Sequence, residues 1–157
     1  MSDLDVRIVT MPPLRVAAFH AFGAGPETDA WAKMEAWAKP KGYMDKPGEQ
    51  RIFGFNNPDP TPGSPNYGYE LWIVVGPEVQ AEAGFTIKQF AGGLYAVTRC
   101  PVRDPWQDIP STWKKLVAWS EASKYHMARH QWLEEHLTEP GDPAVQFVLD
   151  LHMPIAE

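Results

Sequence analysis

Hydrophobic and polar residues follow two different periods along the chain. The segment "YELWIVV" (69–75) places a purely apolar set at every second position, which predicts a β-strand, and "VRIVTM" (6–11) is also predicted as a strand. Two other segments repeat apolar residues at helical spacing: Trp31, Met34, Trp37 and Ala38 in the first, and Trp113, Leu116, Val117 and Ser120 in the second. Each predicts an amphipathic helix, the first ended by Pro40 and the second begun by Ser111 as N-cap.

The same order of segments occurs twice. "WAKMEAW" (31–37) matches "WKKLVAW" (113–119), "ELWIVV" (70–75) matches "DLHMPI" (150–155), and "LRVAAF" (14–19) matches "LYAVTR" (94–99), at offsets of about 80 residues. Each half reads as a hairpin, a helix and two more strands. We expect the hairpin turns at Pro12-Pro13 and at Gly92-Gly93.

This pattern predicts an α+β fold. Two β-β-α-β-β units, about 1–80 and 81–157, are expected to form one domain over 1–157 and to be related by a pseudo-twofold axis. Both helices should cover one face of an antiparallel sheet, and a ligand cleft is expected on the other face.

The late strands divide their residues between those two faces. Tyr69, Leu71, Ile73 and Val75 form a purely apolar set and are predicted to lie under the helix, as are Leu149, Leu151, Met153 and Ile155 in the second half. Glu70 and Trp72 then point away from the helix, together with Asp150 and His152. Glu70 and Asp150 therefore occupy equivalent positions.

The neighbouring strands are predicted to add to the open face. At an offset of 80, Phe53 corresponds to Leu133, and both are placed on the helix side. Trp132, Glu134 and His136 are then placed on the open side. Gly54, the counterpart of Glu134, would leave room for a ligand against the backbone.

Two interpretations of the open face compete. Acids on a solvated face would serve solubility, but such a face does not usually present two tryptophans, here Trp72 and Trp132. The chain has seven Trp, seven Phe and five Tyr. Aromatic walls above a carboxylate suit a lipophilic cation, which gains both ring contact and a negative charge. We therefore favour the cleft over the solvated face.

Composition restricts the possible binding partners and the cellular compartment of the protein. The net charge of −6 disfavours direct binding to the phosphates of nucleic acid. One cysteine cannot form an internal disulfide, which fits a reducing cytoplasm. We see no signal peptide and no apolar segment of about 20 residues, so we expect a cytoplasmic protein without membrane contact.

The "PPLRVAAFHAFG" and "GGLYAVTR" segments, the two W-x5-W helices, "YELWIVV" and the closing "LDLHMPI" resemble the GyrI-like small-molecule-binding family. This is the effector-binding domain of AraC and MerR multidrug regulators, and the resemblance covers nearly the whole chain. It implies a site for bulky, often cationic aromatic compounds, with a glutamate that meets the cation. Glu70 and Glu134 are both candidates for that glutamate. No helix-turn-helix is expected, which indicates a stand-alone member.

Two further functions implied by the resemblance stay open. Some relatives hydrolyse electrophilic cyclopropane-bearing compounds, and here Glu134 with His136 or His152 could act as general base, with Tyr95 or Tyr69 as donor. Other relatives inhibit gyrase by protein contact, so a protein partner is possible. His126 and His130 have a spacing that a helix could use for a metal, but no third ligand is spaced convincingly, and we expect neither metal nor cofactor.

Overall fold

A computed structural model describes residues 4–45, 50–137 and 146–157 of the protein. The order β-β-α-β-β occurs twice, as predicted, and a two-residue strand is added in the second half. The elements are β1 (Val6–Met11), β2 (Leu14–Gly23), α1 (Pro26–Ala38), β3 (Ile52–Asn56), β4 (Tyr67–Val74), β5 (Thr86–Phe90), β6 (Gly93–Val102), α2 (Pro105–Glu121), β7 (His126–Met127), β8 (Leu133–Leu137) and β9 (Phe147–Ala156). The α+β class is thereby confirmed.

The chain divides into two compact units. The central unit comprises Leu14–Phe90, and the terminal unit comprises Met1–Pro13 together with Ala91–Glu157. Each unit contains one helix and its own antiparallel strands.

In the central unit, the strand order is β3-β4-β2-β5 with every pair antiparallel. Helix α1 buries Ala30, Met34 and Ala38 against one face of this sheet. The sheet residues of that core include Leu71 and Ile73, which are fully buried. The apolar set predicted to lie under the first helix is therefore confirmed.

The terminal unit repeats this order as β8-β9-β6-β1, again antiparallel. Helix α2 buries Leu116 and Ser120, and its core includes Leu149, Leu151 and Met153 of β9. The two units thus correspond strand for strand, as the sequence repeat predicts.

The predicted hairpins are wrong, because two strands exchange partners. Strand β1 pairs with β6 rather than β2, and β5 pairs with β2 rather than β6. Proline fixes φ near −65° and has no N–H, so Pro12-Pro13 cannot form the tight turn that a two-residue hairpin needs. Gly92 has a φ of 81°, and a Cβ there would overlap the backbone oxygen of Met11. The glycine therefore permits the two connecting segments to pass each other closely.

Helix α2 begins earlier than predicted. Its N-cap is Asp104, whose carboxylate accepts a hydrogen bond from the backbone N–H of Trp106, and Pro105 follows at the first helical position. Aspartate followed by proline is a stronger helix start than Ser111, which lies inside the helix. The predicted apolar stripe of this helix is unaffected.

Candidate functional site

The sheet face opposite α1 brings a carboxylate and aromatic rings together in the central unit. We call this surface the Glu70 face; it comprises Glu70 and Trp72 of β4, Phe53 and Phe55 of β3, Ala18 and His20 of β2, and Lys88 and Phe90 of β5. The register places Phe53 opposite Trp72 and Phe55 opposite Glu70, so their side chains share one side of the sheet. Glu70 and Trp72 therefore lie where the sequence predicted.

Glu70 is a buried carboxylate with three donors. Its Oε2 accepts hydrogen bonds from Lys88 Nζ and Trp72 Nε1, both at 2.7 Å, and its Oε1 accepts one from Asn57 Nδ2 at 3.0 Å. Burial alone would raise the pKa of Glu70. The hydrogen bonds from Lys88, Trp72 and Asn57 outweigh burial and lower the pKa below the ordinary range. Glu70 is therefore ionised at neutral pH.

Lys88 reaches Glu70 across an intervening strand. Lys88 on β5 is paired with Val16 on β2, and Glu70 on β4 is paired with His20, two residues further along β2. Ala18 lies between Val16 and His20 on the same side of the sheet. Because its side chain is only a methyl group, the long lysine side chain can cross β2 diagonally to the carboxylate.

Aromatic rings surround the Trp72 indole. Its ring centroid lies 5.0 Å from that of Phe55, edge to face, and 5.5 Å from that of Phe90. Phe53, Phe55 and Phe90 are buried. Such aromatic clusters supply large apolar area at little conformational cost, and the edge-to-face geometry adds about 0.5–1.5 kcal/mol per pair.

The base of the proline-rich loop at 57–66 is fixed beside Glu70. Asn57 donates its amide to Glu70, and its backbone N–H donates to Gly68 O at 2.9 Å. His20 Nε2 lies 2.6 Å from Asn57 O, and since a carbonyl oxygen only accepts, this nitrogen carries the proton. The loop thus begins within the hydrogen-bond network of the carboxylate.

The terminal unit places Asp150 at the equivalent position but pairs it differently. Arg7 Nη2 donates to one carboxylate oxygen of Asp150 at 2.7 Å, and Arg99 Nε donates to the other at 2.6 Å. Burial would raise the pKa of Asp150, but its hydrogen bonds with Arg99 and Arg7 outweigh burial and lower the pKa. Asp150 points away from the helix as predicted, and its charge is shared by two half-exposed guanidinium groups.

His152 and Tyr95 lie near Asp150 on the same side of the terminal sheet. The ring of His152 is T-shaped to that of Tyr95 at 5.6 Å, and its Nδ1 lies 3.0 Å from Asp150 O, so Nδ1 is the donor. His152 Nε2 lies 3.7 Å from Glu135 Oε1. Burial raises the pKa of Tyr95 well above its ordinary value, and the phenol stays neutral. The acid that faces His152 is Glu135, a residue that the sequence pattern did not indicate.

The predicted placement of Trp132, Glu134 and His136 on the open face is wrong. Strand β8 pairs Leu133 with His152 and Glu134 with Leu151, so Glu134 and His136 lie on the α2 side. Trp132 also packs against the α2 core. Its ring lies 5.2 Å from that of Trp113, whose Nε1 donates to Glu134 Oε2 at 3.5 Å. A general base formed by Glu134 and His152 is consequently not assembled.

The predicted faces of the corresponding strand β3 are also exchanged, because the alternation was assigned one residue out of register. Phe53 was predicted under the helix but lies on the Glu70 face, and Gly54 lies on the α1 side. A Cβ at Gly54 would overlap the ring of Tyr69, so the space serves Tyr69 rather than a ligand. Strand β3 carries Ile52 on one face and Phe53 and Phe55 on the other, whereas β8 carries a glutamate on each face, Glu134 and Glu135. Alternation alone therefore does not fix which face of either strand meets the helix.

Sequence reasoning missed four residues that contact the two acids, Lys88, Asn57, Arg7 and Arg99. It also missed Phe55 and Phe90, whose rings pack against Trp72. A signal for Lys88 and Phe90 exists in "FTIKQF" (85–90), where they alternate on one face of a strand. This alternation places Lys88 and Phe90 beside Glu70 and Trp72 only when β5 is paired with β2 instead of β6. In the same way, Arg7 can be placed beside Asp150 only when β1 is known to pair with β6.

Among the described residues, no three His, Cys, Asp or Glu side chains are grouped so that they could hold a metal ion. His130 instead has its Nε2 at 2.8 Å from Leu94 O and packs edge to face against Tyr95. Within the same parts of the chain, no helix has the length and apolar character needed to cross a membrane.

The family profile that matches the chain, together with the duplicated fold, places it in the class of GyrI-like effector-binding domains. Within that class, the chain belongs to the Cass2 family, described as integron-associated effector binding protein, whose profile matches residues 7–155. No curated protein matches the sequence.

Solved structures share this fold at low sequence identity. The C-terminal domain of EcmrR is 11% identical with a TM-score of 0.70, and the comparison covers 99% of each chain. The integron cassette protein VCH_CASS2 from the mobile metagenome of Vibrio cholerae is 12% identical with a TM-score of 0.58, covering 99% of this chain and 100% of the other. SAV2435 bound to tetraphenylphosphonium is 12% identical with a TM-score of 0.54, covering 97% and 94%.

Proposed function

We propose that this protein is a binding protein for bulky aromatic small molecules, lipophilic cations in particular, and that the Glu70 face of the central unit receives them. The observation that carries the proposal is the ionised carboxylate of Glu70 hydrogen-bonded to the indole of Trp72, with Phe55 and Phe90 around that indole. An aromatic cation would gain ring contact and charge neutralisation at the same place.

Burial makes this carboxylate attractive to an organic cation. The side chain of Glu70 is only 4% exposed, so water screens its charge far less than that of a surface acid. An inorganic cation would keep its hydration shell, whereas a phenyl-substituted cation carries an apolar surface that gains from leaving water. The face therefore favours a charge carried within an aromatic framework.

The comparisons support a small molecule as the partner. The family is described as effector binding, and SAV2435, which shares the fold, was solved with tetraphenylphosphonium bound. The net charge of −6 fits the further proposal that the chain acts in the cytoplasm without touching nucleic acid directly. Protein partners remain compatible with ligand binding.

The experiment compares two ions of the same shape and opposite charge. Tetraphenylphosphonium should bind the wild-type protein with a Kd of roughly 1–100 µM, whereas tetraphenylborate should bind at least about tenfold more weakly. Isothermal titration calorimetry gives both affinities, and quenching of tryptophan fluorescence follows the same titration. Equal or tighter binding of the borate would contradict a carboxylate-centred site, and absence of binding by both ions would remove the proposal.

A further inference from the structure

We propose that Lys88 is a displaceable internal counter-ion, which competes with cationic ligands for Glu70 and so sets the affinity and charge preference of the site. This inference rests on the proposed function and assigns a regulating residue to the same face.

The contact geometry makes Lys88 and a ligand cation mutually exclusive. Lys88 Nζ and Trp72 Nε1 both lie 2.7 Å from the same oxygen, Glu70 Oε2. Trp72 is buried and the Lys88 side chain is half-exposed, so a cation approaches this oxygen from the Lys88 side and meets the ammonium already in contact with it. The indole can keep its hydrogen bond while the ammonium leaves, because Lys88 reaches the carboxylate from a different strand.

The unequal burial of the two partners decides which of them can be exchanged. The Lys88 side chain is 45% exposed, while that of Glu70 is 4% exposed. A released lysine can return its ammonium to water and regain rotamer freedom, at little cost. The buried carboxylate cannot be solvated in this way, and a buried charge without a partner is strongly unfavourable. Release of Lys88 therefore requires another cation to arrive.

Binding in this manner is an exchange of cations. One positive charge leaves Glu70 as another arrives, so the net charge beside the carboxylate is conserved. A neutral aromatic molecule gains nothing from displacing Lys88, and it would bind with the ion pair in place. The binding free energy of a cation is therefore reduced by the free energy needed to break the Lys88–Glu70 ion pair.

The equivalent acid of the terminal unit does not offer this exchange. Asp150 is held at both oxygens by the guanidinium groups of Arg7 and Arg99. Guanidinium groups bind carboxylates in a more pre-organised manner than ammonium, and two of them would have to be displaced together. The two units therefore differ, and cation exchange belongs to the central unit.

The test removes the ammonium of Lys88 and compares the change in affinity with that caused by removing a lysine from another ion pair in the same unit. Lys88→Gln should tighten tetraphenylphosphonium binding roughly five- to fiftyfold. Lys88→Arg keeps a cation and should not tighten it. Lys39→Gln removes the same formal charge from the exposed pair with Glu35, whose Oε2 lies 3.0 Å from Lys39 Nζ, and should leave the affinity within about twofold of wild type.

The outcomes separate the inference from the proposed function. If wild type binds tetraphenylphosphonium and Lys88→Gln binds it no more tightly, the inference is wrong and the proposed function stands. If neither protein binds the cation, both the proposed function and the inference are wrong. Thermal unfolding of each variant establishes that it is folded at the temperature of the titration.

A second measurement needs no variant that could fail to fold. In wild-type protein labelled with ¹⁵N at the lysine ammonium, the Lys88 resonance should shift towards that of a solvated lysine as tetraphenylphosphonium saturates the protein. Saturation without any change in this resonance would overturn the exchange.

Discussion

The Glu70→Gln variant is expected to bind tetraphenylphosphonium roughly 5- to 150-fold more weakly than the wild-type protein, a loss of roughly 1–3 kcal/mol. The charge that attracts the cation is removed, while the shape and the aromatic surroundings of the site are kept. A neutral amide still offers an oxygen to the ligand but no net charge, so the remaining affinity measures the contribution of the rings.

The variant should stay folded, because glutamine keeps the shape of the side chain and can accept one of the three hydrogen bonds that Glu70 receives. Its amide oxygen can accept the hydrogen bond from Trp72 Nε1 or from Asn57 Nδ2, which now converge on the two carboxylate oxygens. Lys88 loses its partner but is exposed enough to be solvated. Urea unfolding of the variant checks this expectation before any affinity is interpreted.

The matched control for this prediction is Glu35→Gln on helix α1. It changes the net charge by the same amount and also removes one partner of a lysine, Lys39, but it lies away from the aromatic cluster. Calorimetric titration should give Glu35→Gln an affinity within about twofold of the wild-type value. An equal loss in both variants would mean that overall charge, and not the Glu70 face, attracts the cation.

His136 is expected to make the protein sensitive to mild acid. Burial lowers its pKa from 6.5 to about 4 in the folded protein, so the neutral form is favoured. Between these two values the unfolded chain binds the proton and the folded protein does not. The free energy of unfolding therefore rises with pH across this window, and the stability due to neutral His136 is complete above about pH 6.5.

The size of this effect follows from the shift. Because His136 keeps part of its surface in contact with water, we expect a loss on the order of 1–3 kcal/mol, complete by about pH 4. Urea unfolding at pH 7.5 and pH 4.5 should show that His136→Gln removes most of this loss, although the variant can be less stable at both values. His126→Gln, at an exposed site on β7, is the control for replacing an imidazole by the same amide elsewhere in the chain. An unaltered pH dependence in His136→Gln would show that His136 is not the responsible group.

The elements that the sequence predicted correctly are those with one apolar face. In β4 and β9 the residues under the helix are all apolar, and the opposite set contains Glu70 or Asp150, so alternation assigns both faces. The helices follow for the same reason, since their apolar stripes end at polar residues or proline. The equivalence of Glu70 and Asp150 came from the internal repeat.

Strand partners and the register of β3 and β8 were not predictable in this way. Local turn chemistry suggested that consecutive strands pair, whereas β1 and β5 each pair with a strand from the other half of the repeat. Strand β3 has large apolar residues on both sides, and β8 has a glutamate on both sides, so alternation does not reveal an error of one residue in the assignment of either strand. The sequence therefore located Trp132 and Glu134 on the wrong face while placing Trp72 correctly.

The ionic partners of the acids depend on that same exchange of strands. Lys88 comes from β5 and Arg7 from β1, the two strands whose pairing was predicted wrongly. Once the pairing is known, their alternation places both side chains beside the acids. This explains why the sequence indicated an acidic aromatic site and gave no sign that its charges are already matched.

A crystal of the protein grown with tetraphenylarsonium tests the central claim most directly, since the arsenic atom marks the cation by its anomalous scattering. We expect an anomalous peak on the Glu70 face, with the phenyl rings of the cation within about 6 Å of the Trp72 ring. A peak beside Trp113 and Trp132 on the α2 side, or only at the exposed Trp106, would contradict a binding site centred on Glu70.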